Sequence, residues 1–434
     1  MIKYLTTFLF LTTICSYSQL DKSTYYSYGE SLYSEVLHLP YTSDDSSRVM
    51  VLAKVATEAI NFVKVSDGEN FGKYSGIVSL QIKFQNSQGI IKERIKLTDT
   101  VFFDDYDNTQ SKSIFLESFE EVVVPNDDYS ISFEFEIKKN STSNVQKHSI
   151  NLTEIEGKYS PIFLNTPRED VYTNLDPFLL KNTISFDAKG CKVIIPTQSL
   201  GENNYTYKII KKKEVENSPL NWDEKNEFDG ICKKLTNIDF KIENNFSDIK
   251  FSLGRNSKYN ALDFNIPVDK ILPGQYELQL LKNNQIFKTY SFEIRWHNRP
   301  ISLNNLDYAI ELMKYIASEK EIEKLLDSDD LSKNFLDWWS DKDPTSFTPF
   351  NEAIQQYYSR VDYAFFSFKT ISESDGALTD RGKVFILKAF PTKVEEAFEN
   401  NETLIKWKYQ NIKKEYVFEL INAGNYRLVE INDL

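Results

Sequence analysis

The stretch LPGQYELQL, Leu272 to Leu280, is a turn followed by a tyrosine and then by a strand in which apolar and polar residues alternate. The stretch VPNDDYSISFE, Val124 to Glu134, has the same order of turn, tyrosine and alternating strand. A polar turn and one more strand-like run follow in both places. Alternation with a period of two is typical of strands with one buried face. The repeated element therefore predicts two β-sandwiches of one kind, each closing with the same hairpin.

Further short alternating runs extend on both sides of these stretches, separated by turns rich in Asn, Asp, Ser and Gly. Repeated short strands at this spacing are typical of β-sandwiches. Three prolines, Pro161, Pro167 and Pro177, mark a connector between two such series of strands. We therefore predict an N-terminal β-sandwich over 19–160 and a second β-sandwich over 161–299.

Beyond Pro300 the apolar period changes from two to between three and four, which is typical of helices. A second helix is predicted to begin at Thr348, because Thr is a good N-cap residue and Pro349 suits the first helical position. Its apolar residues recur at spacings of three and four. The chain that follows is predicted to form a short strand at 384–387, a helical turn near 394–398 and three last strands.

The predicted fold class is therefore mainly β with a C-terminal α+β domain. Two β-sandwich-like domains are followed by a module over 300–434 in which helices lead into a small sheet. The length of 434 residues fits three domains of ordinary size.

The formal net charge of −13 argues against nucleic-acid binding, because phosphates require a basic surface. The three histidines, His38, His148 and His297, are far apart in the sequence. The sequence also lacks the spacings of zinc sites and the glycine patterns of phosphate-binding and dinucleotide-binding loops. We therefore expect no metal, no cofactor and no nucleic-acid partner, and we lean against an enzyme without deciding the question.

The first residues, 1–18, have the pattern of a secretory signal peptide: a basic Lys3, an apolar run and small residues at Ser16 and Ser18. Cleavage is expected after Ser18. A lipid anchor on Cys15 is the alternative, although a large residue precedes that cysteine. No later segment has 18 uninterrupted apolar residues, so no transmembrane span is expected in the mature chain. The expected location is the periplasm or the outer membrane surface of an exported protein.

After this cleavage the chain keeps two cysteines, Cys191 and Cys232. An exported compartment permits a disulfide between them. Both lie in separate strand-like runs, so a bond requires those strands to be neighbours. The sequence leaves this pairing open.

The densest polar and aromatic region is DWWSDKDPTSFTPFNEAIQQYYSRVDYAFFSF, Asp337 to Phe368, followed by GALTDRGKVFIL, Gly376 to Leu387. In order and spacing, residues 301–387 resemble the GWxTD-domain family of exported proteins, known mainly from Bacteroidetes. Gly376, Thr379 and Gly382 match the signature turn, together with Asp380 and Arg381. Ala377 stands in place of the signature Trp, and Lys342 in place of an Arg. The resemblance implies a domain and an exported location, and it implies no established activity.

Five charged residues of this region are the candidate functional or structural network: Asp343, Glu352, Arg360, Asp380 and Arg381. As a structural network, they would pair with one another and hold the helices to the sheet, since a buried charge is costly unless it is paired. As an active site, Glu352 or Asp343 would act with Asp380 as acid and base. Carboxyl groups about 5–10 Å apart in an open cleft would favour this second interpretation.

The first functional hypothesis is an exported, non-catalytic envelope protein with a binding or scaffold role, whose partner is an envelope protein or a glycan. It depends on the signal peptide, on the sandwiches and on the lack of catalytic motifs. The alternative is a hydrolase of envelope polymers that uses a carboxylate pair in the C-terminal domain.

Overall fold

The fold is described from a computed structural model. The predicted signal peptide and Cys15 lie outside the described residues. The described residues are 32–41, 45–109, 115–137, 142–153, 159–166, 170–178, 182–197, 200–213, 220, 226–244, 249–255, 259–297, 299–399, 402–422 and 424–434.

The first sandwich consists of two antiparallel sheets. Its elements are β1 (Leu32–Leu39), β2 (Ser46–Ala56), β3 (Phe62–Lys64), β4 (Tyr74–Asn86), β5 (Ile91–Phe103), α1 (Tyr106–Thr109), β6 (Phe115–Pro125), β7 (Asp128–Ile137) and β8 (Thr142–Asn151). Sheet A has the order β1-β2-β6. Sheet B has the order β5-β4-β7-β8, and β3 also pairs with β4.

The second sandwich follows directly. Its strands are β9 (Ile162–Asn165), β10 (Asp176–Pro177), β11 (Thr183–Ser185), β12 (Cys191–Thr197), β13 (Tyr205–Lys213), β14 (Glu227–Ile231), β15 (Lys233–Asn244), β16 (Ile249–Arg255), β17 (Tyr259–Ile266), β18 (Gly274–Lys282) and β19 (Gln285–Arg295). Sheet C has the order β10-β9-β12-β17-β15-β16, and sheet D has the order β11-β19-β18-β13-β14. The β11–β19 pair is parallel.

The two sandwiches repeat one plan. The order β1-β2-β6 corresponds to β9-β12-β17, and β5-β4-β7-β8 corresponds to β14-β13-β18-β19. The hydroxyl of Tyr129 donates to the Pro125 carbonyl oxygen at 3.0 Å, and that of Tyr276 donates to the Leu272 carbonyl oxygen at 2.7 Å. This contact is similar to the tyrosine corner known from immunoglobulin-like sandwiches, and it is called a tyrosine corner below. The tyrosine element seen in the sequence is therefore a repeated structural unit, followed in both sandwiches by the same hairpin.

Sheet A is covered on both faces, which the sequence interpretation missed. Val49, Val51 and Ala53 of β2 pack in the core shared with sheet B. Met50 and Leu52 lie on the opposite face, in a core shared with sheet C. The strand therefore has a nearly continuous apolar run instead of alternation, as in sheets buried on both sides. The four sheets stack in the order B, A, C and D.

Sheets C and D enclose the core of the second sandwich, where both remaining cysteines lie. Cys191 and Cys232 are free thiols in this core, 1% and 4% exposed. In this structure the two sulfurs are not bonded to each other. Burial raises the pKa of the Cys232 thiol to about 12 and raises that of Cys191 as well. Since the thiolate is the reactive form, both behave as small apolar side chains.

The C-terminal domain combines helices with a last sheet. Its helices are α2 (Leu306–Leu312), α3 (Glu319–Leu326), α4 (Leu331–Ser340), α5 (Glu352–Ser367) and α6 (Asp380–Lys388). Its sheet E has the order β20 (Lys393–Glu399), β21 (Glu402–Tyr409), β22 (Lys414–Asn422) and β23 (Asn425–Asp433). The fold class, mainly β with a C-terminal α+β domain, is confirmed.

Three local predictions in this domain are wrong. Residues 384–387 lie in α6 instead of a strand, because a helix cap and tertiary contacts override the β preference of Val, Phe and Ile. Residues 394–398 lie in β20 instead of a helical turn. The helix expected at Thr348 begins at Glu352, because the side chain of Asn351 accepts from the Ile354 N–H and forms the cap.

The C-terminal domain packs against the end of the second sandwich through three aromatic rings. Phe186, Trp296 and Phe350 lie with ring centroids 5.5–5.8 Å apart. The indole N–H of Trp296 also donates to the side-chain oxygen of Gln355 at 2.5 Å. Aromatic contacts of this kind add stability beyond the area that they bury.

Candidate functional site

The signature turn forms the entry to α6. Residues Gly376–Leu378 make one 3₁₀ turn, and Thr379 is the N-cap of the helix. The Thr379 hydroxyl accepts from the Gly382 N–H at 3.0 Å and donates to the Gly376 carbonyl oxygen at 2.8 Å. One side chain therefore satisfies a helix donor and fixes the preceding turn, which is the usual role of Thr at an N-cap.

The two signature glycines allow backbones to touch. A Cβ at Gly376 would lie 2.2 Å from the Ala364 carbonyl oxygen in α5, and a Cβ at Gly382 would lie 2.0 Å from the Gly376 carbonyl oxygen. Neither position has room for a side chain without movement of the backbone. These glycines are therefore needed for close packing of the turn between α5 and α6.

Asp380 joins α6 to the sheet. Its Oδ2 accepts from the backbone N–H of Leu428 in β23 at 2.8 Å. A carboxylate at the first turn of a helix is also favoured by the helix dipole. Asp380 therefore links the helical part of the domain to the edge strand of sheet E, in agreement with the structural interpretation of the signature.

The two arginines make contacts with rings and backbone. The guanidinium of Arg381 lies over the ring of Tyr426 at 4.2 Å and near that of Phe368 at 5.4 Å. Arg360 donates to the Ile386 carbonyl oxygen at 3.3 Å. Burial lowers the pKa of both side chains. Within the described residues, neither arginine forms an ion pair with a candidate carboxylate, so the network expected from the sequence consists of separate contacts.

Asp343 and Glu352 are brought together by Thr345. The Thr345 N–H donates to Asp343 Oδ1 at 2.8 Å, and the Thr345 hydroxyl donates to Glu352 Oε2 at 2.5 Å. Burial, and then the neighbouring Glu352, raise the pKa of Asp343 against the opposing effect of the Thr345 N–H. Both carboxyls are half-buried. Of the five candidates, these two form the single carboxyl pair.

Asp380 does not join that pair. Gly376 touches the carbonyl of Ala364, which places the signature turn against the C-terminal half of α5. Glu352 begins α5, twelve residues earlier (364 − 352). At the helical rise this is a separation of about 18 Å along the axis. The sequence-predicted pair of Glu352 and Asp380 is therefore too far apart for joint acid–base chemistry on one bond.

Asp362 is the most buried carboxylate among the described residues of the domain, and it was not one of the five candidates from the sequence. It is 8% exposed, and its two oxygens accept from the Ile301 N–H at 2.6 Å and the Ser302 N–H at 3.0 Å. Burial raises its pKa to about 6, against the effect of these hydrogen bonds. It therefore caps the first turn of the domain after Pro300. The sequence signal that could have identified Asp362 is its position, as a charged residue, on the apolar face of a predicted helix.

Ala377 replaces the signature Trp and is fully buried. Its N–H donates to Asp375 Oδ1 at 2.8 Å, and its carbonyl oxygen accepts from the Tyr315 hydroxyl at 2.8 Å. Asp375 also accepts from the Tyr308 hydroxyl at 2.9 Å. In this chain the signature position is thus held by its backbone and by two tyrosines from the first helical segment.

A cleft between the two sandwiches holds a buried polar group, Glu35, that was not a candidate from the sequence. Its volume is about 560 Å³, and Glu35, Lys147, His148 and Lys288 are among its lining residues. Glu35 Oε2 is buried and has no hydrogen-bond partner within the described residues. Burial raises the pKa of Glu35 to about 8, so at neutral pH this carboxyl carries a proton.

Residues 279–429 match the family described as the GWxTD domain. The C-terminal part of this chain is a GWxTD domain. The match begins in β18 and ends in β23, so it includes Trp296 and Phe350 of the aromatic contact as well as the signature turn. The GWxTD resemblance of the sequence is therefore confirmed, and the change from Trp to Ala377 lies within the matched residues.

Two solved structures are similar to the chain only at a low level. The red sea bream transglutaminase shares 8% identity over 65% of this chain, with a TM-score of 0.17; the chain spans only 34% of the length of that enzyme. The C-terminal domain of the Streptococcus agalactiae AgI/II polypeptide BspA shares 9% identity, with 60% of this chain and 99% of that domain covered and a TM-score of 0.13. The comparison with curated proteins gives no match. Neither structure informs the function of the chain.

Proposed function

We propose that the protein is an exported, non-catalytic envelope protein that binds another envelope component, a protein or a glycan. One observation carries this proposal: the polar signature residues of the GWxTD domain are used in internal contacts. Thr379 caps α6, Asp380 bonds the backbone of β23, and Arg381 packs on rings. These three side chains are therefore used within the fold, which favours a structural role for the signature over a catalytic one.

The export proposal rests on the sequence pattern of 1–18. None of the helices in the described part of the chain is long and apolar enough to cross a membrane. The location proposed is the periplasm or the outer membrane surface, with a lipid anchor through Cys15 as the alternative form of attachment. Fractionation with N-terminal sequencing tests this: a mature chain that begins at Gln19 supports cleavage, and retention of 1–18 overturns it.

The cleft between the sandwiches is the proposed contact surface. Its protonated Glu35 offers a hydrogen-bond donor, while Lys147 and Lys288 offer positive charge. Such groups suit a partner that presents hydroxyl or carboxylate oxygens, which both glycans and acidic peptides do. Clefts at the boundary of two domains are common binding sites.

Site-specific photo-crosslinking in intact envelopes tests this surface. A photoreactive residue placed at Lys147, which is exposed and lines the cleft, is expected to give a discrete adduct. The matched control is the same residue at Lys393, which is exposed on sheet E. Mass spectrometry of the adduct identifies a protein or a glycan. Equal or absent labelling at both positions contradicts the proposed surface.

A hydrolase of envelope polymers is the second candidate, and the contact between Asp343 and Glu352 is the observation that favours it. If it is correct, the purified chain releases soluble fragments from isolated envelope material. Asp343→Asn and Glu352→Gln should then abolish release while the fold is retained. Asp380→Asn serves as the control, because its carboxyl lies at the other end of α5.

A further inference from the structure

Lys192 is a fully buried lysine in the middle of sheet C. It is 0% exposed and lies in β12, two residues before Ile194. Since Ile194 belongs to the apolar core between sheets A and C, alternation along the strand places Lys192 on the same face. Lysine is almost never fully buried unless it is paired. The amine is therefore held in a dry environment by specific neighbours.

Asp263 in the neighbouring strand β17 is one of those neighbours. Its Oδ1 lies 3.8 Å from the Nζ of Lys192, and the two side chains are 4% and 1% exposed. In the antiparallel pairing, Asp263 stands opposite Ile194, so its side chain and that of Lys192 are diagonal neighbours on one face. Within the described residues, Asp263 Oδ1 accepts no hydrogen bond.

Tyr172 holds the other oxygen of the same carboxylate. Its hydroxyl donates to Asp263 Oδ2 at 2.6 Å and accepts from Lys233 Nζ at 2.9 Å. The ring of Tyr172 also covers the Lys192 amine, with 4.1 Å between Nζ and the ring centroid. The carboxyl is thus held through Oδ2 by Tyr172, while Oδ1 is the oxygen near the amine.

We propose that Lys192 and Asp263 condense to an intramolecular isopeptide bond. A buried pair of opposite charges pays a large desolvation cost that a neutral amide does not. The strand pairing keeps the amine and the carboxyl together, so the reaction does not carry the entropy cost of a bimolecular encounter. The amine already lies 3.8 Å from Oδ1 of the same carboxyl group, and attack requires it to come within about 3–3.5 Å of the carboxyl carbon.

The step needs no other reactant. A proton passes from the Lys192 ammonium to the Asp263 carboxylate, which gives a neutral amine and a neutral acid. The Nζ lone pair forms the new bond to Cγ, and the bond from Cγ to Oδ2 breaks. Oδ2 leaves as water with a second proton from the amine, while Tyr172 donates a hydrogen bond to it throughout. Oδ1 remains as the amide oxygen, and no atom is oxidised or reduced.

The consequence is a covalent bridge between neighbouring strands that are distant in sequence. β12 and β17 pair over seven residue positions, and β13 to β16 lie between them along the chain. The bridge would join the two strands at the face of sheet C that packs on the first sandwich. Unlike a disulfide, it would resist reducing agents.

Mass spectrometry of the full chain after denaturation and reduction tests the proposal. The measured mass of the chain is expected to be lower by one water than the mass calculated from its sequence. Trypsin is expected to cut no longer after Lys192, so peptide 190–208 should appear joined to peptide 259–270. A chain of full mass that gives separate linear peptides overturns the proposal.

Two variants distinguish the loss of water that forms this bond from a loss of water elsewhere in the chain. Lys192→Met lacks the amine, so its mass should differ from the full sequence mass by the substitution alone. Asp263→Asn should condense with loss of ammonia and reach the same final mass as the bridged wild type. If the loss of water persists in Lys192→Met, it arises elsewhere, and the proposal fails. The Asp263→Asn reading requires a folded variant, which circular dichroism checks, whereas the mass of the wild-type chain tests the bond without either variant.

Discussion

In the β-sandwiches the close contacts are made by side chains, whereas in the signature turn of the GWxTD domain they are made by the backbone. The tyrosine corners and the layers of Val, Ile and Phe hold the sheets together. At the turn, the Gly376 and Gly382 backbones lie where a Cβ would clash with a carbonyl oxygen. Side-chain packing tolerates many apolar replacements. A backbone contact tolerates few, so a short motif can stay recognisable in a divergent domain.

Among the variants that test this comparison, Gly382→Ala is expected to cause the largest loss of stability. A Cβ at this position would lie 2.0 Å from the Gly376 carbonyl oxygen, so the backbone must shift. We expect a loss of about 3 kcal/mol in the free energy of unfolding of the C-terminal domain. Tryptophan fluorescence during urea unfolding measures it, because the described tryptophans lie in or against the core of this domain: Trp296, Trp338, Trp339 and Trp407.

Gly254→Ala in β16 is the matched control for this change. The nearest atom to a Cβ there is the flexible end of Lys241 at 3.3 Å. The second sandwich should therefore lose much less stability than the C-terminal domain loses with Gly382→Ala. Equal losses would show that the backbone contact at the signature turn has no special role.

The next largest change in stability is expected at Glu35 of the first sandwich, whose Oε2 has no hydrogen-bond partner among the described residues. Burial raises its pKa from 4.5 to about 8. The unfolded chain therefore releases this proton at lower pH than the folded chain, and the wild type loses stability as pH rises through this interval. Glu35→Gln removes the titration. This pKa difference corresponds to about 5 kcal/mol, and the unpaired buried amide of Gln offsets up to about 3 kcal/mol of it. We therefore expect this variant to exceed the wild type by about 2 kcal/mol above pH ~8.

Urea unfolding at a series of pH values checks this difference. The advantage of Glu35→Gln should shrink as pH falls from about 8 to 4.5, where the wild-type carboxyl is protonated in the folded state and increasingly in the unfolded state. An advantage that is independent of pH would mean that titration of Glu35 does not cause it.

Removal of the tyrosine hydroxyl from each tyrosine corner allows the stability of the two sandwiches to be compared directly. Tyr276→Phe removes a buried hydroxyl that donates to the Leu272 carbonyl oxygen and contacts Asn226 Oδ1 at 3.0 Å. We expect a loss of about 1–2 kcal/mol from the second sandwich, since one removed partner leaves buried acceptors unsatisfied. Tyr129→Phe should cost the first sandwich somewhat less. Thermal unfolding followed by circular dichroism measures both, and Tyr106→Phe, at an exposed tyrosine, should change nothing.

The smallest effect is expected from Asp380→Asn. The amide oxygen can still accept from the Leu428 N–H, but the charge that strengthens this bond is lost. We expect a loss of about 1 kcal/mol in the stability of the C-terminal domain, measured by tryptophan fluorescence. Asp329→Asn, at an exposed aspartate, is the control. If Asp380→Asn leaves stability unchanged and abolishes partner binding, the structural role of Asp380 is wrong.

The sequence was sufficient for features that repeat with a fixed period. The tyrosine elements at Tyr129 and Tyr276 and the alternation of the strands predict both sandwiches, because a strand with one solvated face must alternate. The three last strands of sheet E follow from the same pattern. The order of residues around Gly376 and Gly382 was sufficient for the GWxTD domain.

Features that depend on distant neighbours could not be predicted in this way. Residues 384–387 have the composition of a strand, and only the cap at Thr379 and the glycine contacts make them helical. The burial of Glu35 and the pairing of Lys192 with Asp263 arise from stacked sheets that no local pattern records. The five charged candidates were correctly placed in one domain, but their partners proved to be backbone groups, rings and a threonine.

The two-sided burial of sheet A has a practical consequence for anyone who cuts this chain into pieces. A fragment that ends near residue 160 would present Leu37, Leu39, Met50 and Leu52 to water. Apolar surface of this kind promotes self-association. For expression, limited proteolysis or crystallisation, the smallest N-terminal unit that covers both faces of sheet A is therefore the pair of sandwiches, 32–297.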